Sequence, residues 1–301
     1  MISTLNSASQ RFLTNLNRIQ QQVQTAELQV SSGLKLTQVS DAPDQVSTLL
    51  QTRANLAGTQ QILTNLGQTK AETDAGEQAL QSAVSLFDQV QTLATEGNNS
   101  TQTAATNATL AQQVGSLLQE IGGLTDTQVG GRYIFSGDAD QTAPYTVDLS
   151  QANPVSSYQG SASTRLAQHP NGTTFATSLT AQTIFDSADP STNVFQSIVA
   201  VQTALANNDN AALQTAQGGL AKVATYLNTQ LAFYGTVQNK VAQATDYGST
   251  LQTQLKTQIS NIQDADLTQS ILSLQQGQTQ EQAALEAQAQ VPRKTLFDFL
   301  A

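Results

Sequence analysis

The amino-acid sequence predicts a mainly α protein: an elongated bundle of long helices with paired N- and C-terminal coiled-coil helices and a small β-rich insert. Three observations lead to this fold class. Apolar residues recur at alternating spacings of three and four along the N-terminal segment and, less regularly, along the C-terminal one. Aromatic residues are only 5% of the chain, too few for one large compact core. Residues 132–190 lose the helical period and gain Pro, Gly, Tyr and Phe.

The composition excludes several classes of function. Charged residues are 11% of the 301-residue chain and the net charge is −10, with no Lys/Arg cluster, so we expect no nucleic-acid partner. About one residue in seven is Gln, which replaces much of the usual charge. The chain has no Cys, and polar residues interleave its start. We therefore expect no cleaved signal peptide and no membrane partner, so that secretion would use a route without a leader.

The N-terminal segment, residues 1–40, is predicted to be one helix with a narrow apolar stripe. The stripe follows an a/d pattern over four heptads, with Ser9 as its single polar member. Its apolar members include Ile2, Leu5, Phe12, Leu16, Ile19 and Val23. Polar residues cover the rest of the circumference, so this helix requires a partner helix. The alternative is an ordinary amphipathic helix on a globular core.

Residues 41–131 are predicted to form the first part of a helical bundle domain. Asp41 can cap a helix that has Pro43 in its first turn, where the missing N–H of Pro is not needed. This long helix is predicted to end at the polar stretch 96–100. A second helix then runs to the end of the segment.

Residues 132–190 are predicted to form a small β-rich outer domain with several short strands. The stretch 130–137 is interpreted as the end of a helix and the start of a strand, in which Tyr133 and Phe135 would point to one face. Farther along, the Pro-Asn-Gly at 170–172 is typical of a hairpin turn, because Asn-Gly accepts positive φ at both central positions.

The helical pattern returns in the second half of the chain. Residues 191–264 are predicted to complete the bundle domain, and residues 265–301 to form the C-terminal helix that pairs with segment 1–40. The apolar members of its stripe and of the chain end are Leu267, Ile271, Leu274, Leu285, Leu296, Phe297, Phe299 and Leu300. Gln278 and Glu281 interrupt this stripe, so we expect weak pairing in the free chain and burial of both stripes in a polymer.

The sequence contains no pattern of catalytic or metal-binding residues, so we expect no enzyme activity, no cofactor and no metal. The single His, His169, lies beside the hairpin turn without a second His, a Cys or a nucleophile-elbow Ser. The stretch from Asp138 resembles the start of a calcium loop. However, its sixth and twelfth positions are Ala143 and Leu149 instead of Gly and Glu.

Several blocks of the sequence resemble the flagellin superfamily. Residues 31–35 are similar to its Ser-Gly-basic stretch, and residues 259–266 to its C-terminal block. Of its Ser-Asp-Asp-Pro element, Asp41 and Pro43 are in place, whereas Ala42 replaces the second Asp. These features fit filament flagellins and junction proteins of the superfamily alike.

The middle of the chain resembles the branch of this superfamily that joins the flagellar hook to the filament. The residues that match its Arg-Tyr-Leu-Phe-(small)-Gly element and the Gly before it are Gly131, Arg132, Tyr133, Phe135 and Gly137. Residues 158–160, Arg165, 171–172 and 184–185 then follow in the order expected for the insert of that branch. Ala181 stands where a Gly is usual.

The resemblance implies a structural protein of the bacterial flagellum, secreted through the type III flagellar export apparatus without a cleaved signal peptide. It would form the junction ring between hook and filament and template filament assembly. The implied partners are other copies of this chain, a hook-associated junction protein on the hook side, flagellin on the filament side and a cytoplasmic export chaperone. The alternatives are a flagellin subunit of the filament itself and a soluble coiled-coil adhesin or signalling module.

Overall fold

The computed structural model of the chain describes residues 7–37, 42–99, 102–151 and 153–290. The helices are α1 (Ser7–Ser32), α2 (Pro43–Gly97), α3 (Ala104–Leu124), α4 (Ala181–Phe185), α5 (Val194–Ala206), α6 (Asn210–Gln263) and α7 (Leu267–Ala289). The strands are β1 (Gln128–Val129), β2 (Arg132–Tyr133), β3 (Leu166–Gln168) and β4 (Thr174–Ala176). The predicted fold class, mainly α with long helices, paired end helices and a small β insert, is confirmed.

The chain folds into two compact units. Unit 1 contains residues 1–58 and 252–301, and unit 2 contains residues 59–251. Helices α2 and α6 therefore contribute one end to unit 1 and the remainder to unit 2. The finer division of the sequence into five segments stays a prediction.

Unit 1 is built around α1 and α7, which pack against each other in antiparallel directions. Asp266 caps α7 by accepting a hydrogen bond from the N–H of Gln269 at 3.1 Å. The linkers that follow α1 and α6 meet in a short antiparallel bridge, in which the N–H of Lys35 donates to the Gln263 carbonyl at 2.6 Å. This bridge ties the start of α7 to the end of α1, so that the two helices begin their contact side by side.

Unit 2 contains an extended apolar core. Helices α3 and α5 pack against each other, and residues of α2 and α6 line the same core. Its largest fully buried aromatic side chains are Phe87, Phe135, Phe185 and Tyr234. The rings of Phe135 and Tyr234 meet edge to face, with 6.4 Å between their centroids. Because Phe135 and Phe185 come from the predicted insert, the insert shares its core with the helices.

The turn at Gly130 and Gly131 lies between strands β1 and β2, which form an antiparallel pair. The two glycines have φ values of +60° and +76°, which suit a two-residue hairpin loop. The interpretation of this turn as a reversal between a helix and a strand was wrong, because α3 already ends at Leu124. The expected alternation of faces was wrong as well. Ile134 and Phe135 are both buried, since β2 ends before them and the chain enters the core.

The second hairpin joins β3 to β4 in antiparallel register, with Ala167 opposite Phe175. The turn predicted at 170–172 is present, but only Gly172 has a positive φ, of +92°. The side chain of Asn171 stabilises the turn instead, since its Oδ1 accepts hydrogen bonds from the N–H and the hydroxyl of Thr173 at 3.0 and 2.7 Å. The same insert also contains the short helix α4, which its β-rich composition did not predict.

Candidate assembly interface

The apolar stripe of α1 faces α7. Among the stripe residues predicted from the sequence, Ile19 is buried, and Phe12, Leu16 and Val23 are half-buried. Ile2 and Leu5 lie outside the described residues. The stripe is therefore largely covered within a single chain, by its own C-terminal helix.

The face that α7 presents to α1 is small and polar. The Ser270 hydroxyl, which is buried, donates a hydrogen bond to Gln29 Oε1 at 3.0 Å, and Gln20 Nε2 donates to Glu281 Oε1 at the same distance. Between these two contacts, Val23 of α1 packs directly on Gly277. We call this contact face of α7 the seam.

The predicted apolar residues Leu267, Ile271 and Leu285 of α7 lie beside the seam rather than on it. Leu267, Ile271 and Leu285 are 48%, 45% and 51% exposed, whereas Leu274 is half-buried. At 3.6 residues per turn, Leu267 and Leu285 are rotated by roughly 60° from the seam and Ile271 by roughly 100°, all in the same direction. We call Leu267, Ile271 and Leu285 the outer face of α7. The other predicted apolar residues of the C-terminal segment, Leu296, Phe297, Phe299 and Leu300, lie outside the described residues.

The residues of the Arg-Tyr-Ile-Phe-Ser-Gly element attach the insert to the helical core. The Phe135 side chain is fully buried, and its carbonyl accepts hydrogen bonds from Ala181 N–H and the Tyr158 hydroxyl at 2.8 and 3.0 Å. Gly137 has a φ of +61°, and a Cβ there would collide with the carbonyl of Ser161. Phe135 therefore supports the insert through packing, and Gly137 through backbone geometry.

Of the cap positions predicted at the start of α2, Asp41 lies outside the described residues, and Pro43 begins the helix as predicted.

An ion-pair network joins the insert to α2. Arg165 Nη1 lies 2.9 Å from Glu72 Oε2, and Arg165 Nη2 donates a hydrogen bond to the Tyr133 carbonyl at 3.0 Å. Arg132 Nε lies 2.8 Å from Asp140 Oδ2, at an angle unsuited to a directed hydrogen bond, so we treat this contact as an ion pair. The Arg165 and Glu72 side chains are only 12% and 15% exposed. Removing one partner of this pair therefore destabilises the fold more than removing one partner of a surface ion pair.

Replacing Glu72 by Gln is expected to lower the free energy of unfolding by about 1–2 kcal/mol, because Arg165 loses its closest acidic partner while it stays mostly buried. Urea denaturation followed by circular dichroism measures this change. Glu120→Gln on the exposed surface of α3 is the matched control, with an expected change within about 0.5 kcal/mol. Equal effects of the two variants would contradict the assigned role of Glu72.

The tyrosines of unit 2 act as neutral hydrogen-bonding groups. Burial raises the pKa of the Tyr145 phenol above its usual value, and the neighbouring Asp186 carboxylate, which accepts its hydrogen bond at 3.3 Å, raises it further. Burial also raises the pKa of Tyr234, whose hydroxyl accepts a hydrogen bond from Leu179 N–H at 3.4 Å. Both phenols therefore stay protonated at physiological pH and serve packing rather than proton transfer.

The described part of the chain brings no His, Cys, Asp and Glu side chains together in a group of three or more that could hold a metal ion. The ring of His169 packs against Tyr247, with 5.2 Å between the ring centroids, at the tip of the second hairpin. Along the same described stretches, none of the helices combines the length and apolarity that crossing a bilayer requires.

The chain is similar to flagellar proteins along most of its length. Residues 2–140 match the family model of the bacterial flagellin N-terminal helical region, and residues 218–300 match that of the bacterial flagellin C-terminal helical region. Flagellar hook-associated protein 3 of Escherichia coli (strain K12) is 26% identical to this chain in an alignment of 292 positions that covers 89% of this chain and 90% of that protein.

Solved structures show the same fold. A candidate flagellar hook-associated protein from Vibrio parahaemolyticus superposes with a TM-score of 0.65, at 18% identity, over 74% of this chain and 100% of that one. Flagellar hook-associated protein 3 from Legionella pneumophila gives a TM-score of 0.61 at 12% identity, over 72% and 99% of the two chains. FlgL from Xanthomonas campestris gives 0.59 at 16% identity, over 70% and 99%.

Proposed function

Because the chain belongs to the flagellin superfamily and is a structural protein of the flagellum rather than an enzyme, we propose that it forms the junction ring between hook and filament and templates filament assembly. The observation that carries this proposal is the outer face of α7. It leaves three large apolar side chains about half exposed beside the contact between α1 and α7. Such a face is expected to be covered by neighbouring subunits in a polymer.

The junction role is favoured over a role along the filament by two observations. The similarity to flagellar hook-associated protein 3 extends over 89% of this chain, so that it includes the insert as well as the helices that flank it. The Arg-Tyr-Ile-Phe-Ser-Gly element, which resembles that of the junction branch, is built into the core of unit 2 through Phe135.

The proposed partners follow from this role. Other copies of the chain would form the ring, a hook-associated junction protein would contact it on the hook side, and flagellin would contact it on the filament side. Before assembly, a cytoplasmic export chaperone would hold the C-terminal segment, and the type III flagellar apparatus would export the chain to the outside of the cell. The predicted interface residues that α1 and α7 do not already cover within one chain would be buried in these contacts.

A second candidate function is that of a flagellin subunit in the filament itself. It is favoured by the two matching family models, which describe the helical end regions of flagellins in general. The filament role requires many copies per flagellum, whereas the junction role requires few, and this difference separates the two candidates by experiment.

Deleting the gene in its source bacterium is expected to give non-motile cells that keep their hooks and release unpolymerised flagellin into the medium. The physical reason is that filament subunits lack a seed when the connector between the two lattices is missing. Electron microscopy of the cells and immunoblots of the medium measure both effects. If the main filament subunit instead disappears from both the cell surface and the medium, this chain is the flagellin and the second candidate is correct.

A further inference from the structure

Unit 2 contains a second, smaller apolar core besides the main one. It is formed by residues of α2, of α6 and of the hairpin of β3 and β4. Satellite cores of this kind occur where a connecting segment covers apolar side chains of the elements below it. We call this hairpin, residues 166–176, the strap. The helical residues of the small core are Ile62, Leu66, Phe233, Val237, Val241 and Ala244.

The strap turns one of its faces toward the helices. Ala167 is only 6% exposed, and it lies opposite the half-buried Phe175 in the register of the two strands. Both residues belong to the small core. Leu166 and Gln168, the neighbours of Ala167 along β3, are exposed. Because successive side chains of a strand point to opposite faces, the inner face of the strap is the one that carries Ala167.

The tip of the strap is seated on α6 at Gly248. A Cβ at this position would lie 2.7 Å from Leu63 Cδ2 of α2 and 3.1 Å from Pro170 Cγ of the strap. The two helices and the strap therefore meet at a point where α6 has no side chain. A larger residue there would displace either α2 or the strap.

Beneath the strap, α2 has few large apolar side chains with which to pair. Its buried positions at a spacing of seven residues are Thr59, Leu66 and Thr73, so that only one of the three is a large apolar residue. The same series continues in the main core with Leu80 and Phe87. Helices depend mostly on the packing of an apolar face for their stability, so this stretch of α2 needs cover from a third element.

We propose that the strap is a conformational device that holds α2 and α6 together at the end of unit 2 formed by residues 59–66 and 237–251. Its release opens this end while the main core stays folded. The dependence is mutual, because a hairpin of two three-residue strands is not stable in water without a surface to pack on. This inference concerns a single chain and does not depend on the junction role.

Hydrogen exchange of the purified full chain, measured by mass spectrometry, reports the opening of each stretch. Ala167→Glu places a charge on the inner face of the strap. We expect exchange to become at least about ten-fold faster in residues 59–66 and 237–251, and to change by less than about two-fold in α3 and α5 of the main core. The matched control is Gln168→Glu, which places the same charge on the outer face and is expected to change exchange by less than about two-fold everywhere.

A second variant removes the strap altogether. The N–H of Thr177 donates a hydrogen bond to the Arg165 carbonyl at 2.9 Å, so the two ends of the strap are close enough to be joined by a short Gly-Ser linker. In the chain with this linker in place of residues 166–176, we expect the same two helical stretches to lose protection and α3 and α5 to keep it.

Three outcomes would overturn the proposal. The first is that residues 59–66 and 237–251 keep their protection in the chain without the strap, since the two helices would then hold each other unaided. The second is that α3 and α5 lose protection to the same extent, since the strap would then support the whole of unit 2. The third is an equal effect of the two charge variants.

Discussion

Replacing Leu267, Ile271 and Leu285 together by Gln is expected to abolish incorporation of the chain into flagella without unfolding it. Each side chain is about half exposed, so its remaining burial in a polymer is worth about 1 kcal/mol, and the three together about 3 kcal/mol per subunit. A loss of this size weakens subunit association by more than about 100-fold. Gln keeps a helix propensity close to that of Leu, so α7 itself should remain helical.

The measurement is complementation of a deletion strain by the triple variant, with motility scored and sheared flagella tested for the chain by immunoblot. The matched control is Thr268→Gln, Thr279→Gln and Ala283→Gln, three exposed positions on other sides of α7. We expect this control to restore motility. A triple variant of the outer face that restores motility as well as the control does would show that this face is not an assembly surface.

Replacing Phe135 by Ala is expected to lower the free energy of unfolding of unit 2 by about 3–5 kcal/mol, the usual effect of removing a fully buried Phe. The ring packs edge to face on Tyr234, and the adjacent carbonyl holds Ala181 at the start of α4. Loss of the ring therefore leaves a cavity where the insert joins the helices.

Urea denaturation monitored by near-ultraviolet circular dichroism measures this effect, because the aromatic cluster of unit 2 gives the signal. Leu166→Ala is the control, since Leu166 is 65% exposed and its truncation should change the free energy of unfolding by less than about 0.5 kcal/mol. A loss below about 1.5 kcal/mol for Phe135→Ala would mean that the insert is not an integral part of the core.

The long helices and the stripe of α1 could be predicted from the sequence because they depend on local periodicity. The seam of α7 could not be found in this way. Its contact residues are Ser270, Gly277 and Glu281, which carry no apolar signal, and the visible stripe at Leu267 and Ile271 belongs to another face. A lone glycine inside a helical pattern was the one available sign of close approach.

In unit 2, the features that the sequence did not reveal depend on which elements are connected and on contacts between distant residues. The Asn-Gly turn was recognised from turn chemistry, whereas the Gly-Gly turn was assigned to the wrong pair of elements because β1 is only two residues long. Glu72 was not singled out, since its role depends on Arg165, which is 93 residues away in the chain. A contact over that distance leaves no local pattern in a single sequence.

Locating the chain on the flagellum tests the central claim most directly. Ala162→Cys places a single thiol at an exposed position of the insert, in a chain that otherwise has no Cys. Cells that carry this variant can be labelled with thiol-reactive gold and imaged by electron microscopy. The junction role predicts one narrow band of gold at the boundary between hook and filament, and gold distributed along the filament would contradict it.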